Sequence, residues 1–208
     1  MQTHFLFDVL EGYQPFEQIA EESRRDGAVI AASGLAGAQK AHLACALAAR
    51  TGRPIVFLCD SERSAAQTME DVSALMGGGV SLFPAREITF YQDVAASREV
   101  AYRRIEAMRK LVSGEIRAIV APADAMLHRV MPRAVFSANT ISLRVGDVLP
   151  TDQLIERLLA AGYTREYMVE GKGQFSVRGG IVDIYPADAL SAVRIEFFDD
   201  ELDSIRAI

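Results

Sequence analysis

Gly173-Gln-Phe-Ser-Val-Arg-Gly-Gly-Ile-Val-Asp-Ile-Tyr-Pro186 holds two short runs joined by a glycine pair. In the first run Phe175 and Val177 alternate with Gln174, Ser176 and Arg178. That period of two gives one apolar and one polar face, as a half-buried strand requires. Gly179-Gly180 opens backbone conformations that a side chain forbids, so a turn is expected there. Ile181 to Tyr185 resume the strand, and Pro186, lacking an N–H for a ladder, ends it. A third alternating run, Val193 to Phe198, follows. Val193, Ile195 and Phe197 point one way; Arg194, Glu196 and Phe198 point the other. A buried face needs no arginine, and a solvated face needs no phenylalanine. The mixture has the composition of a protein-binding hot spot. The alternative is that Phe198 tucks under a loop spanning Asp199 to Asp203, since single exposed apolar residues are ordinary. Phe175, Val177, Ile195 and Phe197 are expected in the core.

Just upstream, Ile141, Leu143 and Val145 alternate with Ser142 and Arg144. Thr151 is placed to cap a helix whose Leu154, Ile155, Leu158 and Leu159 form one stripe ending at Gly162. One helix with several antiparallel strands makes residues 138–208 an α+β domain. Residues 1–137 have a different rhythm. Pro15 suits a first helical position, with Phe16, Ile19 and Ala20 on one side. Ala28–Ala32, Pro54–Leu58, Val80–Phe83 and Ile116–Ala121 are apolar runs expected as strands, the first two buried. Helices are expected between them, with Asp60 or Ser61 as one cap, a further one from about Ser97 to Val112 and a short one near Asp124–Val130. The stripe of the 97–112 helix is Ala101, Ile105, Met108 and Val112, leaving Arg103, Arg104, Arg109 and Lys110 as a solvated face. Alternating strands and helices imply a parallel, doubly wound α/β domain.

Composition narrows the function classes. The chain has 208 residues, 50% hydrophobic and 24% charged, with a net charge of -6. The negative balance argues against an autonomous nucleic-acid grip, which shows a basic footprint. Cys45 and Cys59 stand far apart in apolar contexts and are expected as buried thiols of a cytoplasmic protein, not a disulfide or metal frame. No signal peptide or membrane-length apolar run is present. His4, His42 and His128 lack metal-ligand spacing. Asp199-Asp200-Glu201 with Asp203 is expected to be a solvated turn, because no EF-hand glycine follows.

One segment looks catalytic. Gly34-Leu-Ala-Gly-Ala-Gln-Lys-Ala41 sits where a P-loop belongs, after an apolar run and opening a helix. The pattern G-x-x-x-x-G-K-[ST] needs a second glycine to wrap phosphates and a hydroxyl to ligate Mg²⁺. Gln39 and Ala41 occupy those places; of the pattern only Gly34 and Lys40 survive, with Gly37 inside the loop between them. No strand ends in paired acids that would hold the metal. The expectation is a degenerate P-loop serving as scaffold, without cofactor or hydrolysis, although a helix N-terminus alone attracts anions.

QFSVRGGIVDIYP followed by VRIEFFDDELDSIR resembles the transcription-repair coupling factors and their relative, the excision-repair protein UvrB. Both carry an E-F-x-x-R-G-G-x-x-D-hydrophobic-aromatic-P segment, then a strand ending F-F-D-D-E-hydrophobic-D. Gln174 stands where the family has glutamate. Weaker likeness covers FPAREITFY at Phe83–Tyr91 and VAPADAMLHRVMP at Val120–Pro132. UvrB opens with a working P-loop and has an aromatic-rich DNA-clamping hairpin; here only Phe90 and Tyr91 stand in that place, too little for a stacking clamp. The coupling factor fits better. The resemblance implies a recruitment module that docks on UvrA through Arg178, Arg194 and Phe198. It implies that the full-length protein uses ATP and Mg²⁺ in a motor region to translocate on double-stranded DNA and displace stalled RNA polymerase. A UvrB-like ATPase and damage-binding protein with residual nucleotide binding is the alternative, and masking of the docking face by other parts of a longer chain is compatible with the docking reading. The unit in progress at Ile208 is expected to continue.

Overall fold

Three parallel strands organise the first half of the computed structural model, which describes residues 5–86 and 98–208. Phe90 and Tyr91, His4 and the expected helix start at Ser97 lie outside the described residues. Helices α1 (Phe5–Asp8), α2 (Gln14–Glu22) and α3 (Ala38–Thr51) lead into β1 (Ile55–Cys59). Then come α4 (Glu62–Met76), β2 (Val80–Leu82), α5 (Arg98–Ser113) and β3 (Ala118–Pro122). The sheet order is β1-β3-β2, all parallel. β3 is buried along its whole length, as the central strand of a covered parallel sheet should be. Local chemistry agrees with the sequence at several ends. Ser61 accepts from Ser64 N in a capping box at the start of α4, and Gly77 closes it in the left-handed region. Pro15 stands in the first turn of α2, which buries Phe16 and Ala20.

Four expectations fail in this unit. Ala28–Ala32 is not a strand: Val29 is 97% exposed. An apolar run becomes a strand only where a neighbour completes its ladder, and β3 is the only ladder partner of β1 among the described residues. β1 itself is half-buried on alternate residues only, with Val56 and Leu58 exposed, so it is not covered on both faces. The expected helix after β3 shrinks to a 3-10 turn, Ala123–Met126.

α5 is rotated from its expected stripe. Arg104 and Ala107 are its buried residues, while Ala101 and Ile105 are exposed. The small Ala107 packs with Phe83, Ile119 and Ala121. Arg104 stacks its guanidinium 3.9 Å from the Phe83 ring centroid and donates to the Pro84 and Ala125 carbonyls at 2.6 and 3.4 Å. Burial lowers its pKa, helped by the charge of Arg86. A residue read as solvated is therefore a structural pin between the exits of β2 and β3.

By its internal contacts the chain divides into Met1–Arg129 and Val130–Ile208. The second unit contains α6 (Arg133–Ala138), α7 (Thr151–Ala160) and five strands: β4 (Thr164–Arg165), β5 (Gln174–Arg178), β6 (Ile181–Ile184), β7 (Val193–Phe198) and β8 (Glu201–Ala207). They form one sheet in chain order. β4 runs parallel to β5 and the other pairs are antiparallel, so the sheet is mixed. β8 is unexpected, because its first residues read as a loop of acids. Its register shifts at Glu196/Phe197, which lets the strand keep Leu202 and Ile205 against the core despite the extra residue.

Leu154 and Leu158 of α7 pack on Phe175, Val182, Ile184, Ile195 and Leu202. Val177 and Phe197 are partly buried against the same cluster, as alternation predicts. Leu159, expected in the stripe, is 52% exposed. Thr151 is the first helical residue and no side chain caps α7. Ile141 and Leu143 pack on the core, but their segment forms no ladder beyond a single bridge between Val148 and Glu201. The β5–β6 turn needs both its glycines. Gly179 has φ +59°, and a Cβ on Gly180 would lie 3.0 Å from the Phe197 carbonyl oxygen. That close approach lets Phe197 N donate to Gly180 O at 2.8 Å, extending the β6–β7 ladder past the turn.

Candidate functional site

The polar face of the second sheet, opposite its core, carries an ordered ionic row. Register aligns Ser176 of β5 with Asp183 of β6, Asp183 with Arg194 of β7, and Arg194 with Arg206 of β8. Asp183 is 3% exposed. Arg194 binds it with two bonds, Nε to Oδ1 at 2.6 Å and Nη2 to Oδ2 at 2.8 Å. Arg178 reaches it from the other side, Nη2 to Oδ2 at 2.6 Å. A fork of this kind is the strong form of the charge-assisted hydrogen bond. The arginines keep outward surface, half of the side chain for Arg178 and 27% for Arg194. Beside them Glu196 accepts from Arg206 and from Ser204 Oγ. Phe198, where β7 ends before the left-handed Asp199 (φ +54°), is 74% exposed. It does not tuck under the following residues, which turn at Asp199–Asp200 and enter β8 at Glu201.

The hydrogen bonds from Arg194 hold the Asp183 carboxyl below its usual value; burial opposes this and Arg178 adds to it. The same pairing raises the Arg194 pKa. Because the folded carboxyl is the stronger acid, its contribution to stability is complete above an unfolded pKa of about 3.9. It disappears as pH falls through the lower, folded value. Acid unfolding followed by circular dichroism is therefore expected to begin below about pH 4, and Asp183→Asn should flatten that acid limb. An unchanged limb would remove Asp183 from the account.

The structure brings Arg178, Arg194 and Phe198 to one face of the sheet, with Arg194 near the start of β7 and Phe198 at its end. The residue at the centre, Asp183, was not singled out in the sequence. Its signal was available: an aspartate inside the otherwise apolar Ile181–Ile184 run, two residues from Ile181 and so on the arginine face. Glu196 and Arg206 were missed as a pair because β8 was not expected.

The Gly34–Ala41 segment has a different geometry. Among the described residues no strand precedes it. Gly34 and Gly37 both have positive φ, and Gly37 caps α3 without a side-chain bond. Gln39 Oε1 accepts from Ala36 N at 3.0 Å, engaging a donor that a wrapped phosphate would use. Ala41 is buried in the packing of α3 with Cys45, Val72 and Ala118, and Lys40 is exposed. Of the thiols, Cys45 is buried and its pKa is raised to about 11 by that burial, whereas Cys59 is only half-buried. His42 Nε2 bonds Leu6 O at 2.8 Å. Among the described residues no group of three His, Cys, Asp or Glu could hold a metal ion. No described helix is long and apolar enough to cross a membrane.

Residues 141–208 match the family model of the UvrB interaction domain. The chain is 36% identical over 176 residues to a transcription-repair-coupling factor of Bacillus subtilis, covering 84% of this chain and 15% of that protein. It is 33% identical over 204 residues to that of Myxococcus xanthus, covering 94% and 17%. The UvrABC system protein B of Chlorobium limicola is 27% identical over 212 residues, covering 94% of this chain and 31% of that protein. The chain thus spans only a small part of the coupling factors it matches. Residues 141–208 are thus a UvrB interaction domain, and over most of its length the chain is a homologue of part of the transcription-repair-coupling factors.

Proposed function

We propose that the 130–208 unit is a recruitment module that docks on UvrA through Arg178, Arg194 and Phe198. The observation carrying this is Phe198: a large aromatic, 74% exposed, at the end of a sheet strand whose polar face holds two ordered arginines. An aromatic anchor beside arginine donors is what an interface hot spot uses. The family supplies the partner. In the full-length protein the module would serve repair coupled to transcription in the cytoplasm, with ATP-driven translocation on DNA and displacement of stalled RNA polymerase performed elsewhere in the chain. The Gly34–Ala41 segment is then a scaffold without nucleotide turnover or cofactor.

Binding of purified UvrA to this chain tests the reading, wild type against Arg194→Ala and Phe198→Ala, with circular dichroism to confirm folding. Each hot-spot truncation is expected to weaken binding by roughly 2 kcal/mol, about thirtyfold. Folded variants that bind as well as wild type would sink the assignment of these residues. A folded wild type that does not bind would sink the module.

A further inference from the structure

Asp183 stands on β6 between the two arginines, one from each flanking strand, and is almost completely shielded from water. Aspartate is a poor strand former, and burying its charge is unfavourable without partners. A well-packed apolar group can often replace a buried ion pair without loss of stability. The position therefore asks for a role besides holding the sheet. We infer that Asp183 is a positioning residue of the docking face: it fixes the guanidinium groups of Arg178 and Arg194 in one prearranged fork that a partner meets already ordered. This rests on the docking reading above and deepens it.

Two consequences follow from the bonds. Each guanidinium has five N–H donors. Arg194 commits its Nε–H and one Nη2–H to Asp183, and Arg178 commits one Nη2–H, so both keep donors for a partner. Two guanidinium charges against one carboxylate leave a single net positive charge on the triad. The surface that fits is an apolar pocket for Phe198 bordered by neutral acceptors, such as backbone carbonyls, and at most one carboxylate. A cluster of acids would be mismatched. Flexible arginines lose side-chain freedom on docking, whereas these two have lost it beforehand.

Asp183→Asn separates positioning from charge by the sign of its effect. It is nearly isosteric, removes the ionic bonds and adds one positive charge to the face. If net charge governed docking on acceptor groups, the variant would bind as well or better. Positioning predicts UvrA binding weaker by about tenfold or more. It also predicts that adding Asp183→Asn to the Arg178→Ala, Arg194→Ala double variant costs less than about twofold further, because both guanidinium groups it positions are then already gone. Arg194→Lys, a partly exposed site that keeps the charge and loses the fork, should fall by a similar factor. A partner-free readout accompanies these: the Arg194 Nε–Hε NMR signal of the chain alone should be ordered in wild type and mobile in Asp183→Asn. Equal or tighter binding by Asp183→Asn or Arg194→Lys overturns the inference. If wild type binds UvrA but its Arg194 signal is mobile, the fork alone is overturned. If the signal is ordered but wild type does not bind UvrA, the docking reading fails and the role assigned to Asp183 fails with it.

Discussion

Phe175→Ala is expected to lower the unfolding free energy of the 130–208 unit by about 3–5 kcal/mol. The ring is fully buried among Leu154, Leu158, Val182, Ile184 and Ile195, at the contact between α7 and the middle of the sheet. Truncation removes the transfer free energy of the ring and leaves a cavity that a sheet held by ladders on both sides of β5 cannot close. Small domains have only about 5–15 kcal/mol in total, so the variant should unfold early in urea and lose UvrA binding through unfolding. Phe198→Ala is the control on the other face of the same sheet. With its ring 74% exposed, its unfolding midpoint should stay within about 0.5 kcal/mol of wild type. Urea titration read by circular dichroism checks both. A Phe175→Ala loss below about 1 kcal/mol would mean the site relaxes far more than its packing implies.

Arg104→Ala is expected to cost the first unit about 3 kcal/mol. The side chain supplies a cation–π contact to Phe83 and charge-assisted bonds to the Pro84 and Ala125 carbonyls. Its loss leaves those carbonyls without that donor, and an unsatisfied buried acceptor is worse than one never buried. Arg104→Lys keeps the charge but not the planar stack on Phe83, and should recover only part of the loss. Hydrogen exchange of the β3 amides reports the change where it occurs, since β3 runs directly into the Ala123–Met126 turn that Arg104 holds. Unaltered β3 protection in Arg104→Ala would show that the pin is dispensable.

The second unit was legible in the sequence because its signals are local. Period-two alternation placed Phe175, Val177, Ile195 and Phe197 inward, and the glycine pair marked the turn. The same alternation put Arg178, Arg194 and Phe198 outward. What escaped depended on neighbours. Asp183 gains its meaning from arginines on two other strands, and β8 opens with acids that resemble a turn until pairing with β7 is known. In the first unit, apolar character alone suggested a strand at Ala28–Ala32, but composition does not provide a ladder partner. Arg104 shows the converse, a charged residue buried because two strand exits offer carbonyls and a ring within its reach.

The two sheets differ in how far apart along the chain their partners lie. From β5 to β8 each strand pairs with the next in sequence, across two tight turns and the loop from Tyr185 to Ala192. The parallel sheet must bring Ile55 to Ala118 before its central ladder exists. Loop-closure entropy rises with the logarithm of the separation, and folding rates fall as contacts become less local. The meander can therefore zip from one hairpin to the next. The parallel sheet must wait for a strand made long after its first, with Val56 and Leu58 of β1 open to solvent on one side even when it is done. In a chain emerging from the ribosome, that makes the first-synthesised unit the slower to assemble and the one in greater need of protection from premature contacts.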